Sequence, residues 1–306
     1  DPDGNLNMIY KGPVKVDTLL ADVKLDERDL VARLHESAAF PGRVIEDPAL
    51  MVPLSLEGSI VHLKIGRELM EKGRMEDALA EHLKAVERAP QSPFAHNAAG
   101  VTFSAVGKID KAIGHFREAV RLDPERVQFR VNLGQSLVAT GKLDEAKKIL
   151  ETVIAEVNNH SDAHFQLGLA KLRDNDNAGA RVSLEKAIEA NPKHGQAHFT
   201  LGGLLLKLGE MSEARKHFQT TLNIEPRNPP VIINLAYIAM REQDLTGAEQ
   251  LCKDAIALDA GYADAHYMLG VVYQAAGRTF EARKSFEQTL ECDPTNTRAM
   301  EALQRL

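Results

Sequence analysis

The feature that most constrains this chain is a period of 34 residues, which runs without insertion or deletion from Ser59 to Asn296. Its clearest copy is Ala263–Asn296, ADAHYMLGVVYQAAGRTFEARKSFEQTLECDPTN. In register with it, small residues recur at the eighth place as Gly66, Gly100, Gly134, Gly168, Gly202, Ala236 and Gly270. The twentieth place is stricter, reading Ala78, Ala112, Ala146, Ala180, Ala214, Ala248 and Ala282. A fixed period of this length specifies stacked supersecondary units, each burying its apolar face against its neighbours, rather than one globular core. Length therefore counts repeats and not domains. The 306 residues divide into an extension of residues 1–58, seven repeats over 59–296 and a remainder of residues 297–306.

Each copy reads as helix A, a turn and helix B. The eighth and twentieth places are small because helices approach closely there, and a larger side chain would cost about 1–3 kcal/mol by overpacking. Gly73, Gly107, Gly141, Gly209 and Gly277 occupy the turn, where a left-handed residue ends helix A. Asn175 can take that conformation, whereas Gln243 suits it least. Pro90, Pro124, Pro192, Pro226 and Pro294 close the repeats and stop helix B. Asn158 and Ala260 replace Pro in the third and sixth, which predicts softer joints or longer helices there.

This pattern of small, aromatic and Pro positions resembles the tetratricopeptide repeat (TPR) family. The resemblance implies an all-α, right-handed superhelical solenoid of antiparallel helix pairs. It further implies a concave face lined by helix A at its second, fifth, sixth, ninth, twelfth and thirteenth places. The fifth place reads Leu63, Asn97, Val131, Phe165, Phe199, Ile233 and Tyr267, and the ninth Arg67, Val101, Gln135, Leu169, Gly203, Tyr237 and Val271. The implied groove is apolar towards repeats 4–7, though aromatics at the fifth place are also common family background. Candidate partner-binding residues are Asn97, Asn132, Gln135, Phe165, Leu169, Phe199, Ile233, Tyr237 and Tyr267. Gln166 and Asn234 add amides that could bond a ligand backbone. Members that clamp a C-terminal carboxylate carry Lys at the second place, but here it reads Ile60, Phe94, Gln128, Asp162, Gln196, Pro230 and Asp264. A carboxylate would meet Asp rather than a cation.

Histidine fills the fourth place in five repeats, as His62, His96, His164, His198 and His266. Successive rungs lie roughly 10 Å apart by helix packing, too far to share a zinc with bonds of about 2.0–2.1 Å. They are expected to pack between helices. His160 with His164, and His194 with His198, stand four apart near Asp162, but two imidazoles make half a structural site. No metal and no cofactor are expected. Gly100 to Lys108 and Gly134 to Lys142 fail the phosphate-loop spacing, and no nucleophile elbow, CxxC or HExxH is present. No catalytic residue is assigned.

The extension carries eleven acidic and six basic residues, and hence −5 of the formal −7. Short amphipathic helices are expected over 17–23 and 26–37. Pro41, Pro48 and Pro53 are expected to leave an extended apolar segment holding Val44, Ile45, Leu50, Met51, Val52, Leu54 and Leu56. Water-exposed side chains of this kind forfeit about 1.5–3 kcal/mol each, so the segment is expected to be covered, either folding back over helix A of repeat 1 as a cap or, the favoured reading, entering the groove of another copy near Phe165, Phe199, Tyr237 and Tyr267. Residues 297–306, with Met300 and Leu303 in register, read as a capping helix A or the start of a further repeat.

A net charge of −7 without a Lys/Arg run disfavours nucleic acid. No apolar stretch nears the roughly 18 residues a membrane span needs. Cys252 and Cys292 stand six places out of register in adjacent repeats, so no disulfide is expected. The first residue is Asp1 and not Met, which leaves a removed signal peptide and a missing segment both open, so the compartment is undetermined between cytoplasm and export. The expected function is a non-enzymatic scaffold that binds a protein or peptide segment in its groove and forms homo-oligomers through its extension. The alternative is the substrate-recruiting TPR portion of a larger enzyme such as a glycosyltransferase.

Overall fold

The computed structural model describes residues 48–306, with side chains from Gly58 onward. The expectations for residues 1–47, including helices over 17–37 and the placement of Val44 and Ile45, lie outside the described residues. By compactness the chain divides into Asp1–Ser55 and Leu56–Leu306. The described residues form fifteen helices and no strand.

α1 (Pro48–Glu71) is followed by α2 (Met75–Arg88), α3 (Pro93–Ala105), α4 (Ile109–Leu122), α5 (Val127–Ala139) and α6 (Leu143–Glu156). Then come α7 (Ser161–Arg173), α8 (Asn177–Ala190), α9 (Gly195–Lys207), α10 (Met211–Ile224) and α11 (Pro229–Arg241). α12 (Leu245–Leu258), α13 (Ala263–Ala275), α14 (Thr279–Cys292) and α15 (Thr297–Arg305) complete the series. Odd helices from α3 to α13 are helix A at 13 residues, and even helices are helix B at 14. Consecutive helices from α2 onward pack on each other, Ser59 Oγ of α1 donates to the Ala85 carbonyl of α2, and helix A touches the next helix A at α3–α5, α5–α7 and α11–α13. This is an all-α TPR solenoid.

α1 corrects one expectation. Pro48 to Leu56 is helical, not extended, and α1 runs 24 residues. Pro48 sits at the first helical position, where its missing N–H costs nothing. Pro53 forfeits one backbone bond, and the strong helix formers Leu50, Met51, Leu54 and Leu56 around it favour continuation.

All seven twentieth-place alanines are fully buried. A Cβ on Gly100 would come within 2.7 Å of the Phe116 ring, and one on Gly270 within 2.5 Å of Phe286. The eighth place is thus small because the twenty-fourth is large. Repeat 6 inverts the arrangement with Ala236 and Cys252. Cys252 is buried with its thiol pushed up to about 12 by desolvation, and both Cys252 and Cys292 are free. The turn residues are left-handed throughout, including Asn175 at φ 62° and Gln243 at φ 68°. Helices α6 and α12, which lack the closing Pro, are no longer than the rest.

The joints between repeats use two chemistries. At the twenty-first place, repeats 1 and 2 bury Leu79 and Ile113 in the core. From repeat 3 onward the same place is charged and pairs with the A–B turn of the next repeat: Lys147 with Asp174, Arg181 with Glu210 at 2.9 Å, and Arg215 with Glu242. At the last such joint the signs reverse, with Glu249 accepting from Arg278 at 2.8 Å.

Candidate partner-binding groove

The concave face changes character along its length. In repeats 2 and 3 the amides satisfy one another: Gln128 Nε2 donates to Asn132 Oδ1 at 2.9 Å, and Asn132 Nδ2 donates to Asn97 Oδ1 at 2.8 Å. Gln135 is exposed beside them. Phe165 does not face the groove; it is buried, because His194 at the start of α9 lays its ring 4.7 Å from the Phe165 centroid. Gln166 is buried too, and Leu169 is half-buried against the core.

Further along, four consecutive A helices converge on an open groove of about 570 Å³. α9 contributes Phe199 and Leu206; α11 contributes Ile233, Asn234, Tyr237 and Met240. α13 adds Tyr267 and Val271, and α15 adds Arg298. Of the nine candidates read from sequence, the structure brings together Phe199, Ile233, Tyr237 and Tyr267. The aromatic rings are braced from behind, Phe199 by Phe218 with centroids 6.0 Å apart and Tyr267 by Phe286 at 5.6 Å. At the C-terminal end the Arg298 guanidinium lies 4.7 Å from the Tyr267 ring centroid and donates to Asp264 at 2.5 Å. Arg241 donates to the Tyr237 hydroxyl at 2.9 Å.

Leu206, Met240 and Arg298 were missed. Leu206 and Met240 occupy the twelfth place, and Arg298 the second place of the incomplete eighth repeat, so the register carried the signal. Arg298 is also the cation that the seven full repeats lack at that place. α15 packs on α14 through buried Ala299 and half-buried Leu303, while Met300 remains exposed.

The fourth-place histidines have a structural role. His96, His164, His198 and His266 donate Nε2–H to the carbonyls of Pro90, Asn158, Pro192 and Ala260 at 3.0, 2.7, 3.1 and 3.0 Å. Each fastens helix A to the end of the preceding helix B, with or without Pro there, which fits the equal helix lengths. His160 and His194 instead cap α7 and α9, accepting from the N–H groups of Ala163 and Ala197 at 3.3 and 3.2 Å. The four-apart pairs are thus a cap followed by a tether. Among the described residues no group of three or more His, Cys, Asp or Glu could hold a metal ion. No described helix is long and apolar enough to cross a membrane.

An open-grooved helical solenoid of this register defines a class, and comparisons with known proteins agree. The tetratricopeptide repeat family model matches residues 104–172, 171–236 and 239–306. The chain belongs to the tetratricopeptide repeat family, and its role is that of a protein-interaction scaffold. No curated protein sequence matches it significantly. Among solved structures, the pilF protein of Pseudomonas aeruginosa aligns with TM-score 0.60 at 22% identity, covering 69% of this chain and 96% of that one. A tetratricopeptide repeat protein from Parabacteroides merdae aligns with TM-score 0.59 at 16% identity over 81% and 98% of the two chains. The APC/C hetero-tetramer Cut9-Hcn1 gives TM-score 0.63 at 17% identity, covering 92% of this chain and 60% of that one. These likenesses concern the fold alone.

Proposed function

We propose that this scaffold receives an apolar segment of another protein in the groove of repeats 5–7. The observation that supports the reading is the convergence of Phe199, Ile233, Tyr237, Tyr267 and Val271 on one open surface. Half-buried side chains of this kind gain about 25 cal/mol for each Å² of apolar surface a ligand covers. Asn234 and Arg298 supply polar groups that would orient the ligand. No catalytic function is proposed. Panning a displayed peptide library on the full chain tests the idea: selected peptides should be rich in apolar and aromatic residues and lose binding to Ile233→Asp with Tyr237→Asp. Binding that survives both substitutions would place the site elsewhere.

A second reading makes the occupant a segment of another copy of the chain, residues 44–56, with Val44, Ile45, Leu50, Met51, Val52, Leu54 and Leu56. Its apolar sequence, VIEDPALMVPLSL, favours it. A contact of this type is heterologous and grows into a ring or filament. Light scattering of the full chain at high concentration checks it, since a monomer would exclude the reading.

A further inference from the structure

Two histidine pairs occupy equivalent places of repeats 2 and 5, and each has restrictive proton arithmetic. His96 on α3 and His115 on α4 bring their Nδ1 atoms to 3.2 Å; His198 on α9 and His217 on α10 bring theirs to 2.9 Å. The Nε2 atoms of His96 and His198 lie on carbonyl oxygens, which can only accept. Those two rings therefore carry their proton at Nε2 and present a lone pair at Nδ1, which obliges His115 and His217 to donate from Nδ1. One added proton can settle on Nε2 of His115 or His217 without breaking anything. A second, on Nδ1 of His96 or His198, would set two N–H groups face to face. Each folded pair thus holds at most one extra proton, whereas in the unfolded chain both rings accept one near the ordinary histidine value of about 6.5.

We propose that these pairs are acid-released latches between helix A and helix B of repeats 2 and 5, closed when neutral and opened by the second proton. The surrounding charges do not change the logic. Glu118 of α4 faces His96, and the Phe103 ring stacks 5.2 Å from His115 with the Lys111 ammonium 5.8 Å over that same ring. The second pair is faced by Glu185 and Arg181 of α8, Glu213 of α10 and His194 at the start of α9. The carboxylates favour the first proton, yet they cannot relieve the clash that the second creates. Burial lowers the affinity of His115, His198 and His217 for protons, and the partner ring acts in the same direction on His115 and His217. Because folded values lie below unfolded ones, the stability from these groups is complete above about pH 6.5 and is lost as pH falls below it. His82, buried in repeat 1 with its Nδ1 2.6 Å from the Thr102 hydroxyl, also has its proton affinity lowered by desolvation, so a test has to isolate the pairs.

Repeats 4 and 7 provide the control, since they carry the fourth-place His with Ser at the place of the second ring: His164 with Ser183, and His266 with Ser285. Amide exchange of the full chain in EDTA at pH 7.5 and 5.0, corrected for intrinsic rates, should show α3–α4 and α9–α10 losing protection. The expected loss is about tenfold per pH unit below 6.5 for each proton the fold refuses. Helices α7–α8 and α13–α14 should change less. His115→Ser with His217→Ser, which copies the control repeats, should flatten the response. Equal pH responses in all four repeats, or a response untouched by the double substitution, would overturn the proposal. Should that variant not fold, ¹⁵N shifts of the wild-type histidines decide: His96 and His198 should be Nε2–H tautomers at pH 7.5. Full protonation of both rings of a pair with helices intact would likewise overturn it.

Discussion

Repeats 2 and 3 and repeats 5 to 7 use the same 34-residue frame in opposite ways. In the N-terminal pair apolar residues fill the joint, with Ile113 2% exposed, while amides that bond to one another line the concave face. In the C-terminal three, the same place pairs across the joints as Arg215–Glu242 and Glu249–Arg278, and apolar side chains stand in the groove. A buried joint excludes water and is worth several kcal/mol, whereas an exposed ion pair is worth about 0–1 kcal/mol. At this one place the C-terminal repeats carry surface ion pairs where the N-terminal ones bury an apolar side chain, and their concave face presents apolar surface with unspent hydrophobic free energy.

The largest effect that would test this contrast is Ile113→Ala, expected to cost about 2–5 kcal/mol through lost burial and the cavity left behind. A urea midpoint unchanged from wild type would mean that the N-terminal joint is not held by packing. Next comes the groove: Tyr237→Ala with Tyr267→Ala should weaken a selected peptide by about 2–4 kcal/mol, the range of interface anchors. The matching change on the amide side, Gln135→Ala, should leave titration calorimetry unaltered. A third expectation is that Asn97→Ala lowers stability by about 0.5–1.5 kcal/mol, since Asn132 loses its acceptor. An unchanged or raised stability would show that these amides were not satisfying each other. The smallest effect belongs to Arg181→Ala, at most about 1 kcal/mol, and it should shrink further in 1 M salt because both partners are partly exposed. A loss comparable to that of Ile113→Ala would erase the difference between the two kinds of joint.

The frame was legible because its determinants are local and recur: a glycine opposite a phenylalanine, an alanine between three helices, a left-handed turn residue. Gln243 shows how firmly the frame is imposed, since it adopts the turn conformation it suits poorly. The groove was half legible. Phe199, Ile233, Tyr237 and Tyr267 follow from register, but whether a fifth-place ring faces solvent depends on what the next repeat sets over it, and His194 covers Phe165. Arg298 escaped because the second place was read only through the seventh repeat. The histidine pairs were invisible along one helix, since each partner lies nineteen residues away on the other. Pro48 and Pro53 misled because they were read as ending any helix, although Pro48 fits the first helical position and Pro53 is outweighed by the helix formers around it.

The reversal of sign at the last joint makes the repeats non-interchangeable. Removing repeat 5 would bring Arg181 opposite the acidic turn of repeat 6, around Glu242 and Asp244, so that joint would still close. Removing repeat 6 would instead set Arg215 against Arg278, cation to cation. An array of near-identical units thus carries its own reading order, and a shuffled chain would betray the misplaced unit at the seam.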